Sequence, residues 1–540
     1  MATCAGILGL FVPLFLQEPA RVSAPMAVDT AAAAEAVQAE LMHRVELLRA
    51  SGALIAAGER IRLPTAVAGI YEAVAFEPLW NERSAADLRM ALAELTEDGL
   101  RPEHYHVASI GPSADSTAVG VAQRDLLRTD ALLVAARDLR LGRAAPDAPD
   151  AASTTVSEAT GLPADVFAAA IRSGAPGESL RRLRPSHFAY RGLVEGLADL
   201  RRLEAAGGWD PVAAGPPMRA GLPDPRVPAL RRRLALSGDL GAAQGARGDS
   251  LFDVALEAAV RRFQHLHGLA EDGVVGRATQ AELDVTVQAR IRQVRVNLER
   301  ARWVLHDLPD TAVVVNIAGG MVYLLRGRDV VWESRAIVGT PYTRTPVFTA
   351  QLRYVELNPS WTVPPGIVGE IIARIREEPG YLAREGIRVL DRAGRPVDAA
   401  SIDFDAWTAR TFPYVFRQEP GPRNPLGRLK FGLPNPHAVY LHDTPERDLF
   451  ARDRRAFSHG CVRVDDPVAL AELVLSDTGW TRAAIETAID EGRTRVIGLP
   501  HPLPVVVEYW TAATDRHGEL HYHADVYGRD AAVLERLDLP

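Results

Sequence analysis

Cysteine is nearly absent: Cys4 and Cys461 are the only two in 540 residues, so no framework of disulfides holds this fold. Basic charge is not in excess either. Lysine and arginine number 61 against 69 acidic residues, a net charge of -8 that gives no sign of nucleic-acid affinity. Arg231, Arg232 and Arg233, in a helical stretch, read as a solvated face. A hydrophobic share of 47% with 24% charged residues argues against a polytopic membrane protein. The apolar run at the N-terminus, Cys4 to Leu16, has 13 residues and is too short to span a bilayer comfortably. Followed by the small residues Val22-Ser23-Ala24, it reads as a secretory signal. Met1-Ala2-Thr3 lacks Lys or Arg, and Pro25 follows the best cleavage site, so an uncleaved anchor, a misassigned start and a buried helix stand as competing readings. Removal of the signal leaves one thiol in an exported protein, where an unpaired cysteine is a liability unless its chemistry is used. A small buried hydrophobe is the commoner fate of a single cysteine.

What is present divides the chain, which is longer than one core organises. After residues 1–30, the signal or anchor, residues 31–210 are Ala/Leu-rich with apolar residues at helical spacing, as in Leu88, Ala91, Leu92 and Leu95 and in Leu126, Leu127, Leu133 and Val134. This is an expected helical scaffold, interrupted by Pro/Ala-rich loops near Ala144 to Ala152 and ended by the Gly/Pro-rich stretch Gly207 to Pro225. In residues 226–287, Leu256, Ala259, Val260, Phe263 and Leu266 share one helix face closed by Gly268, and the turn Asp272-Gly273 leads to a second amphipathic stretch ending near Leu283. A linking helix, Ala289 to Leu305, follows.

From residue 306 to 540 the period is mainly that of strands. Ala312 to Ile317, Met321 to Leu325, Val330 to Val338 and Arg353 to Leu357 are β-branched and apolar, and the pattern returns at Ala438 to His442, Cys461 to Val464 and Arg493 to Ile497. A mixed segment, residues 366–427, carries a helix pattern at Ile367 to Ile375 and reads as an inserted lid. The tail from Val505 to Tyr527 alternates again, with Asp515 and Gly518 at a hairpin turn. The expected fold class is multi-domain α+β.

The segment with chemistry in it is Phe457-Ser458-His459-Gly460-Cys461-Val462-Arg463-Val464, with His442 in Tyr440-Leu441-His442-Asp443-Thr444-Pro445 before it. A thiol needs a base to become a nucleophile near neutral pH, and attack on a carbonyl needs donors for the developing oxyanion. His442, ending a predicted strand, is placed to deprotonate Cys461. Gly460 lets the backbone bend so that the amides of Gly460 and Cys461 face one oxygen. His459 is the rival base. Zinc on His442, His459 and Cys461 lacks a further ligand, so no metal is expected. The pairs His265/His267 and His521/His523 read as surface residues. Tyr342 and Trp361 are candidates for lining a groove, with core packing an equal alternative.

Ser-His-Gly-Cys preceded by a His at this distance resembles the signature of L,D-transpeptidases, a β-rich family that builds 3-3 cross-links between meso-diaminopimelate residues of peptidoglycan stems. Val338-Gly339 with Thr345-Pro346, Asn358 to Pro364, and Asn424-Pro425-Leu426-Gly427 with Lys430-Phe431 are similar to that family too. Leu79-Trp80, Asp98-Gly99-Leu100 and Tyr105 resemble the scaffold of its large Gram-negative subgroup, and Ala259 to Gln264 through Leu283 resembles a three-helix peptidoglycan-binding module. The resemblance implies Cys461 as nucleophile, His442 as base, and His459 holding the loop and helping the oxyanion site. Asp443 would orient the imidazole through its backbone carbonyl, although smaller members carry Gly there. Ser458 and Arg463 would belong to the substrate site, and holding the loop is as good a role for Arg463.

The implied partners are peptidoglycan stem peptides and glycan, with association at the inner membrane or with other wall-synthesis proteins. No cofactor and no nucleic acid are implied, the location is periplasmic, and carbapenems would acylate Cys461. An acceptor amine yields a cross-link, water yields carboxypeptidation, and a lysine side chain tethers a protein to the wall. The rival from another class is a catalytically silent wall-binding scaffold, and the intact pairing of His442 with Cys461 counts against it. A papain-like protease would reverse the order of the two residues.

Overall fold

The computed structural model describes residues 30–145, 155–327 and 329–539. The expected signal lies outside the described residues, as does most of the Pro/Ala-rich loop after Ala144. Among the described residues no helix is long and apolar enough to cross a membrane. The architecture is mixed helix and sheet, with a helical N-terminal half and a mainly-β domain after it.

The scaffold forms around the helix Ala118–Leu141, which is buried on nearly every side. Leu88, Ala91 and Leu92 of Glu82–Glu94 pack into the same core as Leu126, Leu127, Leu133 and Val134. Acidic residues survive inside that helix because each has partners. Asp125 accepts from Tyr71 and the amides of Leu79 and Trp80, Asp130 from the amides of Arg62 and Leu63, and Asp138 from Tyr105 and Arg137.

The next module has four helical segments rather than three, Val227–Leu236, Ala242–Gly245, Val254–Leu266 and Arg277–Leu283. Leu256, Val260 and Phe263 form its core, as the helical period requires. Gly207 to Pro225 is more than a separator: Met218 bridges to Val275, Pro223 bridges to Leu251, and Val212 and Met218 enter the module's core. The arginine run is not a solvated face. Successive helical residues point about 100° apart, so three in a row cannot share one face. Arg231 and Arg233 are buried, the first paired with Asp253 at 2.9 Å and the second stacked 3.8 Å from the Trp209 ring.

The linking helix, Val287–Val304, is buried along most of its length between the scaffold and the β domain. Beyond it Ala312–Asn316 pairs in parallel with Val505 to Glu508 and is buried at every residue, covered on one face by the domain core and on the other by Val304, Leu308 and Trp510. The sheet has nine strands. In spatial order they are Ala456–Ser458, Asp329–Gly339, Val462–Val464, Leu441–His442, Leu429–Gly432, Phe348–Leu357, Arg495–Glu508, Ala312–Asn316 and Met321–Arg326. Met321–Arg326 also pairs with Asp329–Gly339, which closes the sheet on itself as a barrel. Helices Pro467–Val474 and Arg482–Asp490, which no strand-like period anticipates, contribute Leu470, Ala471, Ile485 and Ala488 to its core. The predicted strand Ala438 to His442 is shorter, Leu441–His442, because Ala438 adopts φ +53° and turns the chain.

Between Phe348–Leu357 and Leu429–Gly432 the chain builds a separate unit. Its helix Pro365–Glu377 and a four-stranded sheet share a core of Val368, Ile371, Ile372 and Phe416, with Trp361 packed against it. The tail leaves the barrel as the hairpin Ala512–Thr514 and Leu520–Tyr522, with Asp515 and Gly518 in its turn. The helix Asp530–Asp538 then sends Val533 and Leu537 back into the scaffold core.

Candidate functional site

Cys461 and His442 are brought together by a parallel ladder. Leu441 pairs with Val462 and His442 with Arg463, and the Val462 amide donates to the Tyr440 carbonyl at 3.0 Å. Leu441 and Val462 point into the barrel core, so alternation sends Tyr440, His442, Cys461 and Arg463 to the opposite face. Tyr440 is the residue directly beside Cys461, and His442 sits one step further along.

The half-buried thiol has the Ala438 carbonyl at 3.9 Å and interacts with the backbone and hydroxyl of Tyr440. Burial pushes the thiol above its ordinary pKa, against Tyr440, Lys430 and Arg463, which pull it down. The His442 imidazole is pushed down to about 3, first by burial and then by the Arg463 charge. Both groups are therefore neutral near pH 7. Nδ1 of His442 lies 2.5 Å from the Asp443 carbonyl oxygen, which orients the ring. The Asp443 carboxylate goes elsewhere, accepting from the Arg428 amide at 2.8 Å and from Arg447 at 3.3 Å. Gly427 sits against it at φ +59°, where a Cβ would meet the carboxylate at 2.5 Å.

Ser458 shapes the cysteine loop from below. Its buried hydroxyl donates to the Cys461 carbonyl at 2.5 Å and accepts from the Gly460 amide at 3.1 Å. The Gly460 amide is thus engaged inside the loop, which corrects the expectation that it faces an oxyanion and leaves the Cys461 amide as the candidate donor. Gly460 adopts φ +115°, a conformation that L residues avoid. The loop before strand Phe348–Leu357 grips the same segment: Thr343 Oγ1 donates to the Ser458 carbonyl at 2.9 Å and Thr345 Oγ1 to the Gly460 carbonyl at 2.8 Å. Tyr527 closes this arrangement, donating to the Gly339 carbonyl at 2.7 Å and accepting from the Thr345 amide at 3.0 Å.

The remaining candidates separate. His459 meets Glu370 of the lid helix at 3.0 Å, half exposed. Arg463 pairs with Glu446, and its Nε is buried without a protein partner. Tyr342 is 98% exposed on the loop that grips the cysteine segment, whereas Trp361 packs in the lid core. Among the described residues no three His, Cys, Asp or Glu side chains converge as a metal would require. Sequence reasoning passed over Tyr440, although its period-two spacing from His442 marks it for the same face, and over Tyr527, which no local pattern signals.

Compared with known families, residues 310–497 match a profile described as an L,D-transpeptidase catalytic domain. The barrel is an L,D-transpeptidase domain. Ahead of this L,D-transpeptidase domain, residues 65–197 match a "Scaffold domain" and residues 223–283 a "Putative peptidoglycan binding domain". A relative from Haemophilus influenzae, named "Putative L,D-transpeptidase", is 36% identical over 243 residues, which cover 45% of this chain and 49% of the relative. The chain therefore spans about half the length of the curated relative it matches. The crystal structure of an L,D-transpeptidase from Xylanimonas cellulosilytica, residues 123–326, aligns with 55% of this chain and 99% of that chain at 16% identity, with a TM-score of 0.18.

Proposed function

We propose that the chain is a cysteine acyltransferase of the bacterial wall, outside the cytoplasm, which forms 3-3 peptidoglycan cross-links through a thioester on Cys461. The observation that carries this reading is the ladder that sets Cys461, Tyr440 and His442 on one face, with His442 neutral and its Nδ1 fixed on the Asp443 carbonyl. A neutral imidazole beside a protonated thiol is a general base in waiting. The thiol turns from the Ala438 carbonyl, passes its proton to His442, and attacks the carbonyl of the third stem residue. The Cys461 amide and the Tyr440 hydroxyl face the developing oxyanion, and the proton on His442 leaves with the amine of D-Ala as the C–N bond breaks. An acceptor amine then loses a proton to His442, attacks the thioester and frees the thiol. Arg463, with an unpartnered guanidinium nitrogen, suits a stem carboxylate. His459, committed to the lid, is the weaker candidate for the base.

Mass spectrometry of purified tetrapeptide muropeptides incubated with the chain should give 3-3 dimers and free D-Ala, and Cys461→Ala should give neither. Trimmed tripeptides without dimers would reassign the protein as a carboxypeptidase. Turnover by Cys461→Ala would remove the nucleophile assignment.

A further inference from the structure

The oxyanion donor left at the site, the Cys461 amide, shares a peptide plane with the Gly460 carbonyl, and that plane needs holding. Gly460 stands at φ +115°, and a Cβ there would come against the Arg344 and Thr343 carbonyl oxygens at 3.7 Å, an ordinary contact. Glycine is therefore present for its backbone conformation rather than for room. The same freedom lets the plane rotate cheaply. Thr345 opposes that rotation. Its hydroxyl donates to the Gly460 carbonyl at 2.8 Å from a fully buried position, which draws the carbonyl inward. In a planar trans peptide the C=O and N–H point opposite ways, so the Cys461 amide is turned outward.

Thr345 is itself fixed from two directions. Its hydroxyl accepts from the Gly339 amide at 2.9 Å, and its own amide donates to the Tyr527 hydroxyl at 3.0 Å. Tyr527 donates to the Gly339 carbonyl at 2.7 Å, which closes a ring of hydrogen bonds through Gly339, Thr345 and Tyr527. Gly339 admits no side chain, since a Cβ would meet the Thr343 carbonyl oxygen at 2.0 Å. Tyr527 lies beyond residues 310–497, the part that matches the catalytic profile, and the tail holds it. Its amide donates to the Tyr509 hydroxyl at 2.8 Å, which donates in turn to Asp525 at 2.6 Å. The Ser458 hydroxyl fixes the Gly460 amide and the Cys461 carbonyl, the peptide groups on either side, and Thr345 fixes the plane between them.

We propose that Thr345, braced by Tyr527 of the tail, is a positioning residue that sets the Gly460–Cys461 peptide so that the Cys461 amide faces the oxyanion. This rests on the acyl-transfer reading above and deepens it, because the unit that performs the chemistry then includes a part of the tail. A pair that merely held the loop would support every reaction of Cys461 alike. A pair that sets the peptide plane acts on carbonyl attack, the reaction that places negative charge on an oxygen.

The test compares two reactions of Cys461 in the full chain, each read by intact mass with Cys461→Ala as the blank. Iodoacetamide alkylates the thiol by displacing iodide, and no oxyanion forms. p-Nitrophenyl acetate acetylates it: the S–C bond forms, the carbonyl oxygen takes up charge, and p-nitrophenolate leaves as the C–O bond breaks. Thr345→Val keeps the shape and removes the hydroxyl, so acetylation should slow by about ten- to a hundredfold while alkylation stays within about threefold of wild type. Thr345→Ser should restore most of the rate. Tyr527→Phe keeps its ring and loses the brace, so acetylation should slow by about three- to tenfold with alkylation again unchanged. If Thr345→Val folds poorly, Tyr527→Phe decides. The proposal is overturned by equal loss of both reactions, by acetylation that the variants leave unchanged, or by a Thr345→Ser chain no faster than Thr345→Val. The ester carries nothing of the wall, so this result is independent of whether muropeptides give dimers, which decides the reading above.

Discussion

Around His442 the barrel offers two backbone carbonyls and the charges of Arg463 and Lys430, while the one adjoining carboxylate, Asp443, is turned away to Arg428 and Arg447. Around Arg302 the helical half does the reverse. Glu299, buried with it, accepts from its guanidinium, and the Asp98 carbonyl and Tyr190 hydroxyl take the other side at 2.9 and 3.1 Å. Burial would discharge either group. It succeeds with the imidazole, whereas Tyr190 and Glu299 hold the guanidinium charged. Burial sets the direction, and the presence or absence of a facing anion decides which buried base stays charged and which stays neutral.

The largest effect follows from breaking the neutral side of this contrast. His442→Ala should slow acylation of Cys461 by roughly two to four orders of magnitude near pH 7. The wild-type rate should stay flat from about pH 5 to pH 8, because His442 remains unprotonated until pH approaches 3 and the thiol remains protonated. The variant's rate should climb with pH instead, and its rise should lie above the ordinary thiol range, since burial raises the Cys461 pKa. Stability carries the matching sign. A folded-state pKa of about 3, below the unfolded value of about 6.5, means that the His442 contribution is complete above about pH 6.5 and is lost as pH falls towards 3. A flat profile in the variant would show that another group is the base.

The charged side should break through stability rather than rate. Glu299→Ala leaves Arg302 buried without its counter-ion and also strips acceptors from the Ala144 amide and Trp303 Nε1. Removing one partner of a buried pair costs about 3–5 kcal/mol, so chemical denaturation should show a loss of that size. Glu299→Ala with Arg302→Met, which removes both charges, should recover much of it. If the double variant is no better than the single, the pair is not what holds the helix.

The parts of this contrast differ in how visible they are along the chain. The nearness of Cys461 to His442 was legible because a short parallel ladder joins residues from one stretch, and the bend at Gly460 because its positive φ favours glycine, whereas the direction of the Gly460 amide was not. The hydrophobic period placed the barrel strands and the lid helix for the same reason: each is a local pattern. What stayed hidden depends on distance. Tyr527 closes on Gly339 across 188 residues, Glu370 meets His459 across 89, and the helix Asp530–Asp538 completes a scaffold core that begins near residue 37. Arg231 and Arg233 misled because their burial is made by Asp253 and Trp209, on other elements.

The smallest expected effect lies where the two strategies meet in the open. His459 and Glu370 form a pair 3.0 Å apart with both side chains substantially exposed, so its worth is under about 1 kcal/mol and salt should weaken it. It nonetheless links the helix Pro365–Glu377 to the residue two before Cys461. If it holds the lid over the groove, Glu370→Gln should leave folding unchanged, raise hydrogen exchange along Pro365–Glu377, and change kcat/KM by no more than a few-fold. Raising the salt should bring the wild-type chain toward the variant, because screening removes the same attraction that the substitution removes. Equal exchange in both chains at low salt would show that the lid is held by its apolar contacts, and would leave His459 with the loop as its only role.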